Sequence, residues 1–129
     1  LETFSEAYPS QLSQGMRQRV ALARTMAVEP EVFLLDEAFA ALDAQTKLQL
    51  EGAFEQLWRG TKKAAVLVTH DLEEAVAMAD RVIVFGRNPG RIILDRMTDL
   101  GRPRDIEAIR FTSEFQSVAR EVWEQIKAA

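Results

Sequence analysis

Two short apolar runs, Val32-Phe33-Leu34-Leu35 and Ala64-Ala65-Val66-Leu67-Val68, constrain this chain more than any other feature. Neither alternates apolar with polar residues, so each reads as a parallel strand buried on both faces rather than a strand with one wet side. Between them Asp43 is placed to cap a helix, with Leu50, Phe54 and Leu57 along one face and Gly60 just past its end. A first helix is expected from its cap Ser13 to about Val28, stopped by Glu29-Pro30, after a turn at Tyr8-Pro9-Ser10. Asp71 can cap a third helix carrying Leu72, Ala75, Val76 and Ala79. Helix, buried strand, helix, buried strand, helix is the order of an α/β fold with a parallel sheet.

Beyond that core, "RVIVF" and "RIILDR" flank Gly86 to Gly90 and predict a hairpin with a longer turn. A loop containing "GRPRD" leads to a C-terminal helix with Ser113 and Gln116 as a capping box. Its apolar stripe is Phe115, Val118, Val122 and Ile126. There are no internal repeats and no low-complexity segment.

Composition narrows the chemistry. With 129 residues the prior is one domain, and 47% apolar with 28% charged residues is a globular balance. The chain has no cysteine and one histidine, His70, which excludes disulfides, thiolate metal sites and a histidine-rich metal centre. A net charge of −4 argues against a nucleic-acid footprint. No apolar run approaches the roughly 20 residues that span a bilayer.

Ligand sites in open α/β sheets lie outside the carboxyl ends of the strands. Asp36 and Glu37 follow the first run there, and His70 follows the second. An aspartate in that place suits a magnesium ion in a nucleotide site, and a glutamate beside it could orient or deprotonate a water attacking a phosphate. A histidine across the cleft could contact the same phosphate. Plainer readings stand beside these: a cap and a solvated charge for the Asp-Glu pair, a structural histidine, a simple cap at Ser13, and a solvated face for Arg17, Arg19 and Arg24. The order and spacing of the features must decide.

Taken in order, "LSQGMRQRVALARTMAVEPEVFLLDEAFAALD" followed by "VLVTHDLEEA" resembles the ATP-binding cassette family, the nucleotide-binding subunits of ABC transporters. "LSQGM" matches its signature motif, "VFLLDE" its Walker B, "ALD" its D-loop and "VTHD" its switch histidine, over roughly residues 8 to 86. The resemblance implies that Asp36 binds Mg2+ through water, that Glu37 is the general base and that His70 contacts the γ-phosphate of ATP. It further implies that Asp43 couples two facing sites, and that Ser13, Gln14 and Gly15 act in trans on ATP held by a second subunit. A helix N-terminus offers free N–H groups and a partial positive charge, and a glycine permits close backbone approach. Gln14 stands where the family has a glycine, and Ala38 where importer subunits commonly have a proline. Gly86-Arg-Asn-Pro-Gly-Arg-Ile and then "GRPRD" resemble the nitrate, sulfonate and taurine importer group.

The implied partners are a second ATP-binding subunit in a homodimer, transmembrane permease subunits and, indirectly, a solute-binding protein, with no nucleic acid. The implied place is the inner face of a bacterial plasma membrane. The phosphate loop Gly-x-x-x-x-Gly-Lys-[Ser/Thr] does not occur in these residues: the six glycines are at 15, 52, 60, 86, 90 and 101, and none precedes a lysine. With no initiator methionine and an ordinary domain sequence at "LETFSEAYPS", the expectation is a piece of a longer protein, silent on its own. The expected fold is therefore a partial P-loop NTPase core of α/β class, its mostly parallel sheet flanked by helices. Residues 1–28 would end the helical subdomain, 29–85 run from Walker B to the switch histidine, and 86–129 form the hairpin, loop and helix. Two other readings remain: a non-catalytic module that binds an intact cassette ATPase, and a DNA-repair or chromosome-organising ATPase head, which the absence of heptads and of a basic stripe disfavours.

Overall fold

Parallel pairing joins the two apolar runs, with Val32 opposite Ala64 and Asp36 opposite Val68. The computed structural model describes residues 2–129. In chain order the elements are α1 (Gln14–Ala27), β1 (Val32–Asp36), α2 (Ala44–Thr61), β2 (Ala64–Val68), α3 (Leu72–Met78), β3 (Arg81–Gly86), β4 (Arg91–Met97) and α4 (Ser113–Ala128). Short 3-10 helices occupy Glu2–Phe4, Pro9–Gln11 and Ala108–Phe111. Two compact units divide the chain, Leu1–Val68 and Thr69–Ala129.

In the first unit α2 makes the crossover that parallel strands require. Its residues Leu50 and Phe54 are buried together with Phe33, Leu35 and Phe39. The Phe33 and Phe54 rings meet edge to face at 6.0 Å between centroids, and Phe39 meets Phe54 at 6.3 Å. Such pairs add about 0.5–1.5 kcal/mol each beyond their buried area.

Burial on both faces does not hold here. β1 alternates, with Phe33 and Leu35 buried while Val32 and Leu34 are exposed, Leu34 to 74%. Val66 and Val68, which pair with Leu34 and Asp36, are exposed as well. Helix α2 covers one face of this two-stranded sheet, and no described residue of the unit buries the other. Two further expectations shift. Leu57 is exposed, and α2 runs past Gly60 to Thr61, with Lys62 at φ 56° as its left-handed C-cap.

The second unit holds an antiparallel hairpin, β3 with β4, irregular between Val84 and Phe85. Arg81 reaches Asp95 diagonally across it, Nε donating to Oδ1 at 2.7 Å and Nη2 to Oδ2 at 2.5 Å. The core is Val76, Ala77, Met78, Val82, Ile106, Phe115, Val118 and Val122. The α4 stripe is as expected except that Ile126 is exposed. Its cap is Thr112, whose hydroxyl accepts from the Phe115 amide at 3.3 Å, so Ser113 is already inside the helix. Gln116 instead donates from Nε2 to the Arg110 carbonyl at 2.7 Å. The α/β class stands, carried by one parallel and one antiparallel two-stranded sheet.

An apolar face left bare beside two open strand edges favours association. The 129-residue chain is expected to self-associate in light scattering, and Leu34→Lys with Val66→Lys to reduce that without loss of helix content. A monodisperse parent monomer would contradict the expectation.

Candidate functional site

Asp36 is the last residue of β1, and the ladder continues one step past it: the Glu37 amide donates to the Val68 carbonyl at 2.8 Å. Both carboxylates thus stand at the carboxyl end of the parallel pair, and both side chains are exposed. Glu37 adopts φ 46° and Ala41 φ 59°, left-handed values that cost a non-glycine residue about 1–2 kcal/mol. The turn between them is closed by the Ala40 amide donating to the Glu37 carbonyl at 3.1 Å. Fully buried Phe39 pins it to the core. Packing therefore fixes where Glu37 leaves the sheet.

Six residues past Glu37, Asp43 caps α2. Its Oδ1 accepts from the Thr46 amide at 3.0 Å. Hydrogen bonds from the Thr46 side chain and then its backbone amide hold the Asp43 carboxyl below its ordinary value of 3.8. Thr46 also meets α1: a Cβ built on Gly15 would lie 2.9 Å from Thr46 Cγ2. The two helix N-termini are in contact, with Arg19 Nη2 donating to Gln49 Oε1 at 3.1 Å further along. At the α1 N-terminus the Ser13 hydroxyl accepts from the Met16 amide at 3.2 Å, and the Ser13 carbonyl accepts from Arg17. The amides of Gln14 and Gly15 lie ahead of the helix's own acceptors. Ser13 and Gln14 are exposed, and no residue of α1 is buried.

The first unit therefore brings together two sets of predicted residues. Asp36 and Glu37 form one, and Ser13, Gln14, Gly15 and Asp43 form the other. His70 belongs to the second unit. It is exposed, two residues past Val68 in the sequence, in a turn where the Asp71 amide donates to Thr69 Oγ1 at 3.0 Å. Asp71 Oδ1 then caps α3 by accepting from Glu73 and Glu74 at 2.9 and 3.1 Å.

No cluster of three or more histidine, aspartate or glutamate side chains that could cage a metal exists among the described residues. Magnesium in phosphate sites needs no such cage, because one or two carboxylates share it with phosphates and water. A single exposed aspartate at a strand end fits that donor set. Sequence reasoning missed Thr46, which gives Gly15 an internal reason to be glycine, and Phe39, which anchors the turn. The apolar Phe39 between Asp36 and Asp43 was a visible signal for the second.

A sequence model described as "ABC transporter" matches residues 1–40, the stretch from Leu1 through both strand-end carboxylates. An uncharacterized ABC transporter ATP-binding protein of Methanocaldococcus jannaschii is 52% identical over 111 residues, 86% of this chain and 42% of that protein. The chain belongs to the ABC transporter family. The aliphatic sulfonates import ATP-binding protein SsuB of Cupriavidus necator is 44% identical over 122 residues, 95% of this chain and 40% of its own. SsuB 2 of Rhodococcus jostii is 45% identical over 106 residues, 82% of this chain and 43% of its own. This ABC transporter chain thus spans less than half the length of each of these relatives. No described helix is long and apolar enough to cross a membrane.

Two predictions follow from the contact between α1 and α2. Gly15→Ala should destabilise the chain by about 1–3 kcal/mol, as overpacking does, and Thr46→Ser, which removes the opposing methyl but keeps the hydroxyl, should restore most of it. Urea unfolding of the single and double variants checks this; equal losses with Thr or Ser at 46 would contradict it. Because the folded Asp43 is more acidic than the unfolded one, its stabilisation is complete above its ordinary value of 3.8 and is lost as pH falls through its lower folded value. Asp43→Asn should therefore make stability fall less steeply in acid, read from thermal unfolding at a series of pH values below neutrality.

Proposed function

We propose that this chain is the part of an ABC importer's ATP-hydrolysing subunit that runs from the signature motif past the switch histidine. The observation that carries the proposal is the carboxyl end of the parallel β1–β2 pair. There Asp36 and Glu37 emerge in succession, with Glu37 fixed by the hydrogen bond that its amide donates to the Val68 carbonyl. In this reading Asp36 would hold Mg2+, which would supply neutralisation of charge on the phosphates of ATP. Glu37 takes the proton of the attacking water on a carboxylate oxygen, and His70 contacts the γ-phosphate.

Ser13, Gln14 and Gly15 face the ATP of a second, identical subunit, and Asp43 couples the two sites. Capping and phosphate contact are compatible at Ser13. Its oxygen accepts from Met16, and its hydroxyl proton remains available to donate. The contact between Gly15 and Thr46 supports a link between the Ser13 and Asp43 segments. The further partners are permease subunits and, through them, a solute-binding protein at the inner face of a bacterial plasma membrane. The names of the relatives and the "GRPRD" segment favour a sulfonate or a similar small solute, nitrate and taurine included. Lacking a phosphate loop in its sequence, the 129-residue chain is silent alone.

In the longer protein that carries these residues with a phosphate loop, Glu37→Gln should lower ATP turnover by about 10²–10⁴-fold while ATP binding persists. Single-turnover assays with equilibrium nucleotide binding test it. Turnover that survives Glu37→Gln removes that residue from the role of base.

A further inference from the structure

One deeply buried charged side chain of the second unit lies outside the proposed chemistry. The Arg104 side chain is 1% exposed, and its donors converge on the exit of α3. Nη1 donates to the Ala77 and Ala79 carbonyls at 3.1 and 2.8 Å. Nη2 donates to Asp80 Oδ1 at 2.9 Å, Leu100 O at 2.7 Å and Thr98 Oγ1 at 3.4 Å, and Nε to Gly101 O at 3.2 Å. Arg102 joins it, Nε to the same Asp80 Oδ1 at 3.0 Å and Nη2 to the Met78 carbonyl at 2.7 Å. Thr98 closes the cluster, its amide donating to Asp80 O at 2.8 Å and its hydroxyl to Ala79 O at 2.9 Å.

A buried guanidinium is costly unless its donors are matched. Here they are matched by carbonyls and a carboxylate at the end of one short helix and by oxygens of Thr98, Leu100 and Gly101. Cations are favoured at that end by the helix dipole. Helix α3 has seven residues, too few to persist on its own. Asp71 fixes its start, and Arg104 with Arg102 fixes its end. His70 is the residue immediately before the Asp71 cap, so the setting of this helix bears directly on where its backbone lies.

We propose that Arg104, with Arg102 and Asp80, forms a brace that makes Arg104 a positioning residue for His70. The brace ties the 98–104 loop to the helix that orients the histidine. The inference rests on the reading of His70 as a phosphate contact, but its structural half stands apart from that reading. A misplacement of about 1 Å at a reacting centre can cost about 100-fold in rate.

Hydrogen exchange and kinetics test it together. In the 129-residue chain, Arg104→Ala should speed amide exchange in residues 69–78 while the β3–β4 hairpin stays protected. In the full-length protein it should lower kcat per folded subunit by about 10–100-fold with KM for ATP unchanged. Combined with His70→Ala, it should add nothing further to that loss, and Arg104→Lys should recover part of it. Unchanged exchange at 69–78, exchange raised uniformly over the unit, or additive losses with His70→Ala would each overturn the proposal. Should Arg104→Ala not fold, Arg102→Ala, which removes the Met78 bond and one partner of Asp80, is read by the same criteria. Turnover unchanged in His70→Ala would refute the reading of His70 as a phosphate contact and leave the exchange result intact. Loss of turnover in His70→Ala with unchanged exchange in Arg104→Ala would refute the brace alone.

Discussion

Parallel pairing of β1 with β2 is the constraint on which the first unit depends. Two parallel strands cannot be joined by a tight turn, so the chain must cross over, and α2 is that crossover. The pairing also places both carboxyl ends on one side, which is why Asp36 and Glu37 leave the sheet beside Val68. The left-handed backbone at Glu37 is unfavourable taken alone. It is held by the Val68 carbonyl on one side and by buried Phe39 on the other. The local strain and the core packing are therefore parts of one arrangement.

Gly15 has an internal reason to be glycine beside the functional one proposed for it. A glycine at a helix N-terminus invites the reading that a ligand approaches the backbone closely. Within this chain the approaching group is the Thr46 methyl, which leaves no room for a Cβ. The two demands need not compete, since the space beside Cα is taken by Thr46 while the first-turn amides point along the helix axis. What the internal contact adds is coupling: a shift of the Asp43–Thr46 turn presses on the first turn of α1.

Much of the fold was legible because its signals were local. The caps Ser13, Asp43 and Asp71 and the span of β2 fell where residue chemistry placed them. The misses came where the decision was not local. Leu34 looked like a two-sided core residue, but whether a sheet face is covered depends on other elements. At the end of α2, Gly60 had the better intrinsic preference, yet the turn of the backbone fell on Lys62. At α4, Thr112 and Ser113 are equally good caps by chemistry, and the 3-10 turn Ala108–Phe111 set the register one residue early. Among the candidate site residues, the placement of Asp36 and Glu37 at a strand end was readable from position alone. The cluster around Arg104 was not, because "GRPRD" carries no period and most of its acceptors are backbone carbonyls, which no side-chain pattern reveals.

That last contrast says something about how this sequence distributes its charges. Arg81 pairs with Asp95 across the exposed face of a hairpin, and Arg96 reaches Asp99 and Glu121 at the surface. Such pairs are screened and contribute little each. Arg104 differs in being withdrawn from solvent and in meeting mainly carbonyls, where a compact ammonium could not span the same set of acceptors. A buried ion of this kind is poor evidence of stability, because an apolar replacement of similar volume often serves as well. It is better evidence of specificity. The guanidinium fork is satisfied in one arrangement of Ala77, Ala79, Asp80 and Leu100, and any slippage of α3 would strand several donors together. The brace therefore selects one setting of a helix that, at seven residues, has little stability of its own.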